Sequence, residues 1–478
     1  MAESDRQKIN RKDPGYRGVE ERLRDYREVE KVLCEDEVKE QAERCLSCGT
    51  PFCHGYACPL ANVIPETNEM IREGRWKDAL EMLLSTHPFP EFTARICPAL
   101  CEASCVLGIN DQPVTIRQVE KMIIEKGFAE GWVRPCPPLK RRGENVAVVG
   151  SGPAGLSAAY SLNRHGFNVT VYDRELNPGG LLLYGIPNFK LDKEIVSRRI
   201  KLMREEGIKF ECGVNVGSDI SFNYLKRRFS AVLLTGGTPQ PRDLNIPGRE
   251  LEGISYAMQF LRAQNKRLIG EPLADGEDFT AKDKKVVIIG GGDTGSDCLG
   301  TALRQGAKQV CQLEILPRPS ENRPEDNPWP LWPRIDRVSS SHLEGGTRRW
   351  SVTATGFEGD QQGRVKHLHC AEVEWVRQDG KFTPIQKEDS AFTVDADLVL
   401  LAMGFIGPGP DPLADALGLQ RDGLGNIRIN QEHMTGLPGI FSAGDMARGQ
   451  SLVVKAMADG KAAAEHIAFY IESAQQGK

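Results

Sequence analysis

Seven cysteines stand in two short-spaced groups: Cys45, Cys48, Cys53 and Cys58, the last followed by Pro59, then Cys97, Cys101 and Cys105. Cysteines at such spacings read as metal ligands. Four of them hold one [4Fe-4S] cluster, and a ligand run ending in Cys-Pro often donates that last cysteine to a neighbouring cluster, so the interleaving points to two clusters. Zinc competes with this reading, because Cys-x2-Cys followed by later cysteines also builds a structural tetrahedral site. Cys34, Cys136, Cys212, Cys298, Cys311 and Cys370 have no partner at ligand spacing and read as ordinary thiols. Thirteen cysteines, an odd number with crowded spacings, argue against a disulfide framework.

Downstream lie two glycine-rich turns, Gly150-Ser-Gly-Pro-Ala-Gly155 and Gly290-Gly-Gly-Asp-Thr-Gly295. Each follows a short apolar run, Val146 to Val149 and Val286 to Ile289, and opens a helix-like stretch, which is the context a dinucleotide needs. In the first, Gly150, Ser151, Gly152, Pro153, Ala154 and Gly155 would bring backbone against a pyrophosphate at a helix N-terminus. Asp173, at the end of the second strand, stands where an acid grips a ribose hydroxyl. The bland alternative is a tight turn that binds nothing. In the second turn Gly290, Gly292, Asp293, Thr294 and Gly295 take the corresponding places. Glu314 could hold a 2′-hydroxyl there, whereas Arg318 and Arg323 could neutralise a 2′-phosphate or serve only as solvated charge.

These residues need elements to hold them, and 478 residues suffice for two or three domains with buried cores. Residues 1–142 are polar and cysteine-rich, with helical patterns from Val63 to Leu84 and Val114 to Ile124, and end in a Pro- and Arg-rich linker at 134–142. Strand and helix patterns then alternate through 143–250 and again through 251–404, and 405–478 could return to complete the first unit. The fold class expected is α/β: two Rossmann-like dinucleotide-binding domains preceded by a mainly helical iron-sulfur domain. A net charge of -5 gives no basic field for nucleic acid or an anionic membrane. No 18-residue apolar stretch occurs and the first residues are charged, so a cytoplasmic protein is expected.

The paired turns resemble the family of two-dinucleotide-binding flavoprotein reductases, in which one unit binds FAD and the other NAD(P)H. Thr435-Gly-Leu-Pro-Gly-Ile-Phe-Ser-Ala-Gly-Asp445 is similar to that family's second FAD motif, which implies flavin contacts from Gly444 and Asp445. Thioredoxin-reductase-like members carry Cys-x-x-Cys between the two turns. Here residues 156–289 hold only Cys212, so flavin electrons must leave another way. The N-terminal segment resembles the domain shared by glutamate synthase small subunits and the dihydropyrimidine dehydrogenase N-terminal region. That resemblance implies Cys45, Cys48, Cys53 and Cys105 on one cluster, and Cys58, Cys97, Cys101 and Glu120 on the other.

Across the chain the strings Arg44 to Leu60, Gly179 to Lys190, Asp326 to Pro333 and Ser339-Ser-Ser-His342 resemble the small subunits of bacterial NADPH-dependent glutamate synthases. The same resemblance adds Arg174, Gly180, Leu181, Lys190 and Val216 to the FAD contacts. Many relatives carry two basic residues where Ile315-Leu316 stands, which leaves Arg318 and Arg323 as substitutes. The activity implied is hydride transfer from NADPH to FAD, with electrons passed through two [4Fe-4S] clusters to a large (α) subunit that makes glutamate from glutamine and 2-oxoglutarate, in a hetero-oligomer. A reductase serving another acceptor is the alternative within this class, and a zinc-organised sensor the alternative outside it.

Overall fold

The computed structural model describes residues 9–378, 381–409 and 412–476. The cysteine-rich segment folds as short helices: α1 (Glu35–Glu43), α2 (Ile64–Arg72), α3 (Trp76–Thr86), α4 (Pro90–Ile96) and α5 (Ile116–Ala129). The helical pattern from Val63 to Leu84 is broken into α2 and α3 at Gly74, whose φ of 75° ends the first helix. Val38, Ile71, Leu83, Val119 and Ile123 pack together as the core of this bundle. The cysteines occupy its loops, among them the short turns Cys53–Ala57 and Leu100–Ala103.

The first nucleotide unit contains β1 (Asn145–Val149), β2 (Asn168–Asp173), β3 (Lys209–Cys212) and β4 (Ala231–Leu234), joined by the return strand Ile440–Ser442. All pair in parallel, in the order return strand, β4, β1, β2, β3. Both faces of such a sheet are buried, so alternate residues serve different cores. Val146 and Val148 enter one core, and Ala147 enters the other. Helices α6 (Pro153–Arg164) and α7 (Lys193–Glu205) follow β1 and precede β3.

The second unit repeats the plan with α8 (Ala257–Ile269) and α9 (Asp293–Arg304). Its strands β5 (Ile254–Tyr256), β6 (Lys285–Ile289), β7 (Gln309–Glu314), β8 (Thr347–Trp350) and β9 (Leu398–Leu401) run parallel, in the order β5, β9, β6, β7, β8. One element lies outside the expected alternation. Residues between β8 and β9 form an antiparallel sheet from Val352–Gly359, Val365–Gln378, Lys381–Gln386 and Phe392–Asp395. Its inward Val352, Phe357, Leu368 and Cys370 pack with Val287 and Val399 of the parallel sheet, which is why a strand pattern interrupts the βα repeat. The chain ends in α10 (Val453–Gln476), packed along α6 so closely that a Cβ on Gly460 would lie 2.1 Å from the Ala154 carbonyl oxygen. No helix among the described residues is long and apolar enough to cross a membrane.

The segment before α1 ties the parts together. Val29 N donates to Phe189 O at 3.0 Å and Asn188 Nδ2 to Tyr26 O at 2.9 Å, in the first unit. On the second unit, Arg22 Nε meets Glu344 Oε1 at 2.9 Å, and Arg304 Nη1 meets Glu344 Oε2 at 2.5 Å. All three side chains are buried. Glu91 of α4 and Arg199 of α7, also buried, fix the helical domain to the first unit. Removing one member of a buried ion network strands the others, at a cost of about 3 to 5 kcal/mol. Glu344→Ala should therefore lower the thermal unfolding midpoint markedly and expose residues before α1 to limited proteolysis. An unchanged midpoint and cleavage pattern would remove the structural role assigned to this triad.

Candidate functional site

At the first turn a β-carbon is excluded twice. On Gly150, whose φ is 105°, it would lie 2.4 Å from Thr235 O, and on Gly155 it would lie 2.0 Å from Gly150 O. Helix α6 therefore starts tight beneath β1. Its N-cap, Gly152, provides no side-chain cap, and a Cβ there would meet nothing within 4 Å. Uncapped amides at a helix N-terminus opening on free space fit a phosphate.

Asp173 closes this turn from the side. Its Oδ2 accepts from Ser151 N at 2.7 Å and from Ser151 Oγ, and its Oδ1 accepts from Glu175 N at 2.9 Å. Ser151 Oγ also accepts from Gly179 N at 2.9 Å, which draws in the next glycine pair. Gly180 crosses so near that its Cβ would lie 2.7 Å from Gly152 Cα, with half-exposed Leu181 beside it. Pro153 opens α6, and Ala154 meets Gly444, whose Cβ would lie 2.6 Å away. Asp445 then begins a single turn; its Oδ1 accepts from Ser451 Oγ at 2.8 Å, and burial raises its pKa. Gly150 to Gly155, Asp173, Gly180, Leu181, Gly444 and Asp445 thus converge.

Three residues of the expected set lie differently. Arg174 is exposed, 3.8 Å from Glu175. Val216 is buried against the other core of the sheet with Leu234 and Met446. Lys190 forms an ion pair with Asp297 of α9, so this basic side chain bridges the two units.

The second turn repeats the exclusion. A Cβ on Gly290 would lie 2.2 Å from Ala402 O, and one on Gly295 would lie 2.3 Å from Gly290 O. Gly292 is an N-cap without a side-chain cap and faces open space, with Asp293 and Thr294 opening α9. Glu314 accepts from Gly291 N at 2.6 Å and from Leu316 N at 2.9 Å, as Asp173 does in the first unit. The two arginines differ in their engagements. Arg318 pairs with Asp336 at 2.9 Å over the Trp350 ring, whereas Arg323 donates to the carbonyls of Asn327 and Leu331 and so organises its own loop.

The cysteines gather into two cavities. Cys45, Cys48, Cys53 and Cys105 line one, walled by Ile64 and Ile116. Cys58, Cys97, Cys101 and Glu120 line the other, together with Asn62 and Val454 of α10. Burial pushes the Cys53 thiol up to about 12 and the Cys58 thiol up to about 11. It pushes Glu120 up to about 7 against the opposing hydrogen bond from Asn62 Nδ2 at 2.8 Å. Among the described residues no three Cys, His, Asp or Glu side chains converge tightly enough to hold a single metal ion. The thiols and the carboxyl ring a space in each cavity, and such groups would lose their protons there only to a cationic centre; this chemistry fits a multi-iron cluster.

Residues 144–460 match the pyridine nucleotide-disulphide oxidoreductase family, and residues 22–132 match the family described as dihydropyrimidine dehydrogenase domain II, 4Fe-4S cluster. The chain is 52% identical to the glutamate synthase [NADPH] small chain of Mycobacterium tuberculosis over 465 residues, 97% of this chain and 94% of that one. This chain belongs to the glutamate synthase small-chain family. It is also 46% identical to the glutamate synthase [NADH] of Schizosaccharomyces pombe over 471 residues, 96% of this chain and 22% of that longer one. Among solved structures, FprA of M. tuberculosis in complex with NADPH shares the fold at a TM-score of 0.56 and 20% identity, covering 70% of this chain and 86% of that one.

In this small-chain relative, residues that sequence motifs did not point to support both turns. Thr235 Oγ1 donates to Gly150 O at 2.9 Å, and Gln312 Nε2 donates to Gly290 O at 2.8 Å. Their position, at or near the end of a strand beside the turn, was the available signal. Trp329 lies 4.8 Å, ring to ring, from Phe52 on the wall of the first cysteine cavity, and only the three-dimensional structure brings these rings together. A methyl at Gly155 or Gly295 must displace backbone, an overpacking cost of about 1 to 3 kcal/mol. Gly155→Ala should therefore purify with FAD depleted, read from the flavin released per chain on denaturation. Gly295→Ala should keep its FAD and lose NADP+ binding. Equal loss of both ligands in either variant would contradict two separate turns.

Proposed function

We propose that this chain is the electron-input subunit of a glutamate synthase. The first turn takes FAD, the second takes NADPH, and the two cysteine cavities take two [4Fe-4S] clusters. Electrons leave for a large chain that forms glutamate from glutamine and 2-oxoglutarate. The observation that carries the reading is the contact of the second cysteine cavity with Val454, on the helix that follows the Gly444-Asp445 motif. That contact supports an electron path, because the second cysteine cavity then adjoins the unit read as taking FAD.

When bound, the flavin accepts a hydride and the iron-sulfur clusters accept electrons singly. The protein supplies alignment and charge. Gly152 and Gly292 present helix amides to pyrophosphates, Asp173 and Glu314 offer carboxylate oxygens to ribose hydroxyls, and the Asp297–Lys190 pair fastens the two units at their junction. Cys45, Cys48, Cys53 and Cys105 would hold one cluster; Cys58, Cys97, Cys101 and Glu120, which line the other cavity, would hold the second. With NADPH, Glu314 is left to the ribose 3′-hydroxyl, and Arg318 is a cation of this edge that would face the 2′-phosphate by exchanging Asp336 for it.

The test is anaerobic NADPH oxidation by this chain mixed with the glutamate synthase large chain of the same source, with and without glutamine and 2-oxoglutarate. Glutamate in proportion to NADPH, dependent on both chains, is the expected result. Flavin reduction without glutamate, beside a demonstrably competent large chain, would transfer the electrons to another acceptor. Cys48→Ser should spare NADPH reduction of the flavin and abolish glutamate formation. The wild-type chain should carry about eight irons, four per cluster.

A further inference from the structure

Ser339-Ser-Ser-His342 has no part in the reading above, yet it joins the two ends of the second glycine turn. Ser296 Oγ, in the first turns of α9, lies 2.5 Å from Ser339 Oγ. Ser339 Oγ lies 3.1 Å from His342 Nδ1, and His342 Nε2 lies 2.7 Å from Gln312 Oε1. Gln312 Nε2 completes the circuit by donating to Gly290 O at 2.8 Å.

Counting protons orients the whole chain. Gly290 O only accepts, so the Gln312 amide nitrogen faces it and the Gln312 oxygen faces the imidazole. The imidazole proton is therefore on Nε2, and Nδ1 is an acceptor. Nδ1 receives the Ser339 amide at 3.3 Å and the Ser339 hydroxyl, which leaves Ser296 to donate to Ser339. Every donor points from the helix toward the Gly290 carbonyl. A second imidazole proton would face the Ser339 N–H, donor against donor.

The first unit shows why such a chain is useful. There Thr235, β-branched and short, reaches Gly150 O directly. Gln312 has three rotatable bonds, and its amide needs an anchor to stay aimed at the turn.

The geometry points to His342 and Ser339 as positioning residues for the nicotinamide dinucleotide: they form a latch that holds Gly290 to Gly295 in its pyrophosphate-receiving shape, an inference that rests on reading this turn as the NADPH site. The latch requires the neutral imidazole. Burial, with Arg348 and Lys190 against the opposing Asp336 and Asp293, brings the His342 pKa down to about 4. The folded form thus refuses a proton that the unfolded chain accepts near the ordinary histidine value. In the folded protein the latch is intact above about 4 and is lost as pH falls through it, while the stability it adds is full above the ordinary histidine value and declines between the two.

The experiment uses holoenzyme with FAD and clusters in place, titrated with NADP+ and followed by flavin absorbance and by the shift in thermal midpoint. His342→Ala should weaken NADP+ binding and raise the NADPH KM about tenfold, the weight of one buried hydrogen bond. FAD content and kcat at saturating NADPH should stay near wild type. His342→Gln, which returns an N–H to Gln312, should recover most of the affinity, and Ser339→Ala should weaken binding independently. Because the imidazole stays neutral there, titration of His342 should give the wild-type affinity no pH dependence between roughly pH 5 and 8. Unchanged NADP+ affinity in His342→Ala and Ser339→Ala with full FAD would overturn the latch, as would a fall in kcat with KM unmoved. Failure of the wild type itself to bind NADP+ would overturn the dinucleotide reading beneath it, a result distinct from either.

Discussion

One carboxylate, Glu344, stands out of water between two guanidinium groups, and through it the segment that also bonds the first nucleotide unit is fastened to the second. Charges buried this way persist only when paired, so Arg22, Glu344 and Arg304 hold a single arrangement. Arg304 sits in the last turn of α9, where a cation also meets the negative end of the helix. Its guanidinium lies 3.8 Å from the centre of the Phe189 ring, which belongs to the first unit. One residue further on, Lys190 pairs with Asp297 of the same helix. Asp297, Gly300 and Arg304 share a face of α9, and a Cβ on Gly300 would lie 2.9 Å from Phe189 Cζ. The loop at 189–190 therefore seats on one stripe of the second unit's helix, closed above by the N-terminal segment. Hydride transfer needs reacting atoms held to about 3 to 3.5 Å, which a freely rotating pair of domains does not supply.

The two glycine turns solve one steric problem with different supports. In each, the last glycine passes within contact of the carbonyl of the first, and an acid from the end of the neighbouring strand binds the amide between them. Asp173 is buried, whereas Glu314 lies at an exposed edge. The first turn leans on Ser151 and Gly179, so its shape is coupled to the Gly180-Leu181 crossing above it. The second leans on Gln312 and the Ser339–His342 pair, so its shape is coupled to the loop before β8. The first support is short and rigid; the second is a relay.

The parallel sheets were legible because short apolar strands followed by glycine turns and helices repeat at the βα period, and because the backbone at Gly150 and Gly290 admits no side chain. The grouping of cysteines was legible only through resemblance. The Cys58-Pro59 ending pointed that cysteine toward a neighbouring centre, but spacing did not say that Cys105 joins Cys45, Cys48 and Cys53 in one cavity. The strap before α1 was not legible, since Arg22 reads as one charge among many until Glu344, more than 300 residues away, is brought to it. The antiparallel sheet was missed because its alternation of apolar and polar residues, sound evidence of strands, was absorbed into an expected βα repeat. Arg323 reads as a candidate phosphate ligand until the Pro-rich loop folds and presents its carbonyls to it.

Raised thiol pKa values do not by themselves separate ligands from ordinary cysteines, for burial also raises Cys370 to about 12 and Cys212 to about 11. Arrangement separates them. Cys53 opens the turn Cys53–Ala57 and lines one cavity, while Cys58, just past its end, lines the other. Cys101 lies in the turn Leu100–Ala103 beside the second cavity, and Cys105 follows it into the first. Two short bridges therefore cross between the cavities. A chain of four residues spans at most about 14 Å, so the Cα atoms of Cys101 and Cys105, and the cavities they line, are held within that reach. Spacing that looks crowded in sequence is what a fold requires to keep two cavities close while no cysteine lines both.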